Sequence, residues 1–462
     1  MKVIITINIF ILLCACLLSN RFLAFHSYVL FGLQFITLIP YLLSKLKYLK
    51  NFFLPSFFIL LYYLINQSLG AYLVPRGFGF NNWFEPYLAK IENYNLIVSY
   101  LIVCNFTLFV VCIRTLTKLN VIDAIGPKGN LKIIRYDFLL DIARIITCLI
   151  IFLVFSYIDI YSLFSFQLII IIILSSYLAY CQKTIRFLVY LVFLVLMVKF
   201  NFENKREVVI SLFSIIFLEA YYSRVVLQFT LKKIAIYFSG IFLFFFLVLT
   251  SSILRGYGSY GADTFSTAIT YLPQYVESDI FVDGITDNLE LNYSYGTGIS
   301  AMNMIVKGDL PYQYGYTLIK LFFLPIPRDM FPFKPESIMQ MFTKKFFPSF
   351  WAEGGSLPVI LPVDMFLNFH FLGFLATGLI VSLLDYFFVK FHQLRYRSFL
   401  YFSFVFLFIT ILAFARGSGI DLYMLYYIVI IPFIVMYILS RIFFKGFLKK
   451  INELISVKNK KI

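Results

Sequence analysis

Charge is what this chain has least of. Asp, Glu, Lys and Arg make up 13% of its 462 residues, and 61% are hydrophobic. An ordinary soluble domain carries roughly 25% charged residues, so a water-soluble globule is excluded. Histidine is scarcer still: His26, His370 and His392 are the full complement, too few for a histidine-built metal centre. Cys14, Cys16, Cys104, Cys112, Cys148 and Cys181 all lie in or beside apolar runs, with neither zinc spacing nor a disulfide framework. Acids gather around Asp283, but without the spacing of a calcium loop, and they read as a solvated face. Neither a metal nor another cofactor is expected. The formal charge of +16 does not point to nucleic acid, because the basic residues sit in short clusters between apolar runs. That is where the positive-inside bias of membrane proteins puts them.

What is abundant is apolar sequence of membrane length. Runs at 3–19, 23–44, 52–72, 96–116, 137–158, 161–180, 184–199, 207–222, 233–253, 364–389, 398–415 and 421–440 are long enough to cross a bilayer or nearly so. They predict an all-α polytopic membrane protein with about twelve transmembrane helices. The first run lacks a small-residue cleavage site and reads as a retained span. Basic clusters follow the even-numbered runs: Lys45, Lys47 and Lys50, then Lys118 and Lys128, Lys183 and Arg186, Arg224 and Lys232, Lys390 and Arg395. Both termini are therefore expected in the cytoplasm. The plan becomes spans one to nine in 1–253, a large periplasmic loop with short helices in 254–357, spans ten to twelve in 358–441, and a basic cytoplasmic tail in 442–462.

The loop has an acidic half with Asp263, Glu277, Asp279, Asp283, Asp287, Glu290 and Asp309, and a basic half with Lys320, Arg328, Lys334, Lys344 and Lys345. Such an interval predicts a folded cap rather than a loose tether. Its 336–347 stretch reads as an amphipathic helix suited to the bilayer surface. Within the basic half, Pro325, Pro327, Pro332 and Pro335 stiffen a rod that displays Arg328 and Lys334. Orientation explains the cytoplasmic cations but not those on the outer side: Arg206, Arg255, Arg328, Lys334 and Arg416. They are candidates for binding phosphate, or for snorkelling to headgroups. After the loop, Asp364 enters the membrane from the outer side, as a helix N-cap, a functional carboxylate or both. Loop tyrosines such as Tyr293, Tyr295, Tyr312, Tyr314 and Tyr316 are candidates for stacking on sugars or for an interfacial belt.

These residues form a pattern. Pro327-Arg328, Pro332, Lys334-Pro335, then Asp364, Phe366, Asn368-Phe369 and Gly373 resemble the Wzy-type polymerases of O-antigen and capsular repeat units. The family more often has Glu at the position of Asp364. The resemblance implies a metal-independent glycosyltransferase with a GT-C-like membrane plan, in the bacterial inner membrane, its active site facing the periplasm. The growing glycan would leave undecaprenyl diphosphate and join the terminal sugar of a new undecaprenyl-diphosphate-linked repeat unit. It implies catalytic roles for Asp364, as base or orienting group for the acceptor hydroxyl, and for Arg328. Arg206, Arg255, Arg328, Lys334 and Arg416 would bind the diphosphates. Membrane lipids and a chain-length-regulating co-polymerase are the further partners it implies.

Two other readings stay open. An O-antigen ligase shares the plan, but the histidine expected in its periplasmic loop is absent between 254 and 357, and His370 lies beyond. A lipid-linked oligosaccharide flippase or other transporter suits the number of spans. It fits less well with a membrane interior almost empty of charge and with no internal repeat.

Overall fold

A computed structural model describes residues 1–79, 83–88, 90–125, 230–254, 262, 264–323, 330, 332–393, 415 and 417. Among these the chain is mostly helical and forms no β-strand. The first half contributes α1 (Lys2–Leu17), α2 (Asn20–Lys45), α3 (Pro55–Leu73), α4 (Glu85–Leu88), α5 (Tyr94–Ile125) and α6 (Leu231–Leu254). Four stretches are long and apolar enough to cross a membrane: Asn20–Lys45, Pro55–Arg76, Tyr94–Asn120 and Leu361–Lys390. They coincide with the predicted spans two, three, four and ten, and α6 coincides with span nine. At 16 residues, α1 is a shorter apolar helix. The predicted spans five to eight, eleven and twelve, and the basic tail, lie outside the described residues, Ala415 excepted.

Local chemistry sets the helix starts. Ser19 caps α2 by accepting the Phe22 N–H at 3.3 Å. α3 opens on Pro55, where a missing N–H costs nothing. An amide ladder then ties four helices through the apolar interior. Asn105 on α5 donates to Gln34 on α2 at 2.9 Å and to Gln67 on α3 at 2.6 Å, while Gln34 donates to Asn8 on α1 at 3.1 Å. Where the surroundings are as apolar as the helices themselves, such bonds and close packing hold helices together.

The described part of the long loop folds into α7 (Phe265–Glu277), α8 (Phe281–Asn288), α9 (Thr297–Val306), α10 (Tyr316–Phe323), α11 (Ile338–Phe346) and α12 (Pro348–Ala352). It does not stand apart as a cap. The wide helical turn at Asn292–Gly296 and α9 run into the bundle, where Leu291, Tyr295, Ile299, Met302 and Ile305 share one core with Phe57, Leu64 and Tyr94. Tyr295 meets the Tyr94 hydroxyl at 2.5 Å and Ser27 at 3.3 Å, and Tyr62 meets Ser294 at 2.7 Å. Hydropathy missed this insertion because its polar groups are satisfied by partners more than two hundred positions distant for Tyr94, Tyr62 and Ser27.

Two smaller expectations are corrected. Asp283 is half-buried rather than merely solvated, accepting the Gly79 N–H at 2.6 Å and so clasping the turn after α3. α11 buries Ile338, Met339 and Phe342 within the protein instead of lying on a bilayer surface, and Ser337 with Gln340 forms its capping box.

The stretch predicted as the tenth span is interrupted. α13 (Leu361–Phe369) and α14 (Gly373–Gln393) are joined by a tight turn at His370–Leu372. The Leu367 carbonyl, near the break, accepts the Gln313 N–H of the loop at 3.0 Å. Broken helices of this kind are tolerated in membrane proteins where neighbouring protein satisfies the freed backbone groups. Gly373 permits the close approach. A Cβ there would collide with the Met365 backbone and come within 2.7 Å of the Tyr100 hydroxyl. Gly373→Ala should therefore destabilise the protein by about 1–3 kcal/mol, read as a lower unfolding temperature in detergent. An unchanged temperature would mean that the α13–α14 junction is looser than described.

Candidate functional site

Beside the break lies a groove of about 820 Å3, walled by Tyr312, Tyr314, Asn368, Phe369, His370 and Leu372 and, on α14, Leu375, Ala376 and Leu379. Its two ends differ. Leu372, Leu375 and Leu379 are more than half exposed and continue as one stripe to Leu383. This stripe gives the groove an apolar side. The other end carries a carboxamide, an imidazole and two phenols.

The polar end is built on strained backbone. Among the described residues, non-glycine positions with positive φ are Glu290, Tyr314 and His370, and the last two both line the groove. Tyr314 has φ 47° and is followed by Gly315 at φ 90°, a turn closed by Tyr316 N–H to Gln313 carbonyl at 2.8 Å. It leaves the Tyr314 ring 85% exposed. His370 has φ 54° and ψ −141°. Conformations of this kind cost about 1–3 kcal/mol each and persist only where the surroundings over-determine them.

The surroundings here are a buried hydrogen-bond network. Asp364 on α13 is fully buried and accepts the Thr317 hydroxyl of α10 at 3.1 Å. Asn368, one turn on, donates to Thr317 Oγ1 at 2.6 Å, to the Asp364 carbonyl at 2.8 Å and to Asp364 Oδ1 at 3.1 Å. Its Oδ1 accepts the Gly315 N–H at 3.0 Å. One carboxamide thus locks the turn that displays Tyr314 and the helix end that displays His370. Three residues along α10 from Thr317, Lys320 is buried as well, donates to Gln340 at 3.2 Å and is close enough for its charge to act on Asp364.

Asp364 is not the helix N-cap. Ile360 holds that position, and Asp364 lies in the first turn, where its charge favours the helix dipole. Nor does it line the groove, whereas Asn368, to which it is hydrogen-bonded, does. Asp364 Oδ2 has no hydrogen-bond partner among the described residues. This geometry suits a residue that orients others better than one that touches a ligand.

Lys334 is half-buried on a segment held to α10 by the Tyr316 hydroxyl and the Phe333 carbonyl, 3.2 Å apart, and it does not line the groove. Arg206, Arg255, Arg328 and Arg416 lie outside the described residues. Of the loop tyrosines, Tyr312 and Tyr314 reach the groove, whereas Tyr295 is buried in the bundle. Thr317 and Lys320 had drawn no attention as site residues. Their i, i+3 spacing puts them on one helix face, but nothing local tells that this face meets Asp364.

Comparison with protein-family models, with curated proteins and with solved structures finds no match for this chain. Function is therefore argued from the groove and its supporting network.

Proposed function

We propose that this protein is a polymerase of lipid-linked oligosaccharide repeat units. The observation that carries the reading is the two-ended groove: an apolar side runs into Tyr312, Tyr314, Asn368 and His370. A glycan on a long isoprenoid lipid has that same division, greasy at one end and hydroxyl-rich at the other. Tyrosine rings offer flat faces for sugars and hydroxyls for their edges. The run Asp364, Phe366, Asn368-Phe369 and Gly373, which with the proline run at 327–335 carries the resemblance to Wzy-type polymerases, is also the run that builds the break in the helix.

In this reading about twelve spans surround the site, both termini are cytoplasmic, and the groove faces the periplasm of a bacterial inner membrane, in a GT-C-like plan. The donor's glycosidic carbon loses its bond to undecaprenyl diphosphate and gains one to the acceptor sugar's oxygen. Negative charge gathers on the leaving diphosphate. Arg328, with Arg206, Arg255, Lys334 and Arg416, neutralises the two lipid diphosphates, since guanidinium forks match phosphate oxygens and stay charged. The reaction then needs no metal. A co-polymerase that sets chain length would dock on the same protein.

The test is the surface-glycan ladder from cells lacking the gene, with and without the wild-type gene restored. Lipid core carrying a single repeat unit, lengthened to a ladder on complementation, is the expected result. Bare core with long glycan retained on its carrier would mean a ligase. Bare core with single units trapped on the cytoplasmic side would mean a flippase.

A further inference from the structure

We infer that His370 is the group that takes the proton from the acceptor hydroxyl, with Asp364 acting only through Asn368. The inference rests on the polymerase reading of the groove and names its base.

Three observations lead to it. First, Asp364 is walled off: it is fully buried, its Oδ1 is engaged by Thr317 and Asn368, and Asn368 rather than Asp364 meets the groove. Second, His370 stands on the groove wall with its ring against two aromatic neighbours. The Phe366 ring lies 5.1 Å away at 29° and the Tyr312 ring 5.2 Å away at 47°. Neither ring nitrogen is spent on a hydrogen bond to another described residue, so both are free for a ligand. Among the side chains on the wall, which otherwise are tyrosine, asparagine, phenylalanine and aliphatic, the imidazole is the one that offers a basic ring nitrogen to a hydroxyl proton. Third, the backbone at His370 adopts φ 54° and ψ −141°, a conformation glycine takes at far lower cost. A histidine kept at a position that favours glycine is there for its side chain.

The step balances without a further reactant. The acceptor O–H bond breaks and its proton goes to an imidazole nitrogen. The oxygen's electron pair forms the bond to the donor's glycosidic carbon, and the bond from that carbon to the diphosphate oxygen breaks. Its electrons leave with the lipid diphosphate, and the imidazolium later returns its proton to water.

Full-length protein in lipid nanodiscs, supplied with lipid-linked repeat units extracted from cells lacking the gene, provides the test. His370→Gly is the informative variant, because glycine relieves the backbone strain as it removes the ring. We expect an unfolding temperature equal to or above wild type, an initial rate lower by about a hundredfold or more, and partial recovery when free imidazole is added. Polymerisation within about twofold of wild type would overturn the inference and leave the polymerase reading standing. A slow variant that imidazole does not revive would also overturn it. If wild type itself makes no polymer from these units, the reading fails and the inference falls with it.

Discussion

Asn368→Ala is expected to lower the unfolding free energy by about 2–5 kcal/mol and to slow transfer by about a hundredfold. No other side chain near the groove makes as many described hydrogen bonds. Its amide serves Thr317, the Asp364 carbonyl and the Asp364 carboxylate, and its oxygen takes the Gly315 N–H. Removing it leaves a buried carboxylate with Thr317 as its remaining described side-chain donor, and an amide hydrogen at a strained turn with no acceptor. The cost of orphaned buried polar groups exceeds the net worth of the bonds themselves. The two strained positions would then relax, Tyr314 toward negative φ and His370 toward continuous helix, since their local cost is no longer opposed. Thr317→Val gives the scale: it removes one hydroxyl from the same network and should cost nearer 1–2 kcal/mol. Thermal unfolding of the purified protein with both variants checks the ranking. Equal stability of Asn368→Ala and wild type would mean that the network does not hold the groove.

Arg328→Ala should leave the fold intact and cut polymerisation by about a hundredfold or more. The basis is chemical. On the proposed polymerase reading, the diphosphate leaving group needs fixed positive charge as its bond to the sugar breaks, and in the sequence Arg328 is flanked by Pro325, Pro327 and Pro332, which restrict the backbone. Stiffness matters because a pre-oriented donor need not be reorganised during the reaction. Arg328→Lys is expected to recover little, for ammonium lacks the planar fork that grips two phosphate oxygens. The rate at saturating lipid-linked repeat unit is the quantity to measure. Full activity of Arg328→Ala, at equal protein level, would remove Arg328 from the site.

Hydropathy alone led to the helices at 23–44, 52–72, 96–116 and 233–253, because burying about twenty consecutive apolar residues is a local property of composition. It could not foresee that the stretch at 364–389 would break at His370. No proline marks that place, and the break depends on Gln313 and Gly315 arriving from the loop to bond the Leu367 carbonyl and the Asn368 side chain. The motif residues themselves were legible as a pattern, but not their division of labour. Asp364 read as a group at the membrane edge, whereas it is buried and it is Asn368 that lines the groove. His370 read as an isolated histidine without metal partners. Its meaning comes from its backbone angles and from the Phe366 and Tyr312 rings beside it.

The sequence by itself pointed to a helical membrane protein and fixed which positions carry cations on each side of its predicted spans. Those properties follow from side-chain identity and short-range spacing. Tertiary structure decided which polar groups are buried, which reach the groove, and where strain is held. These depend on partners such as Thr317 and Asp364, which lie 47 positions apart in the chain and 3.1 Å apart in space.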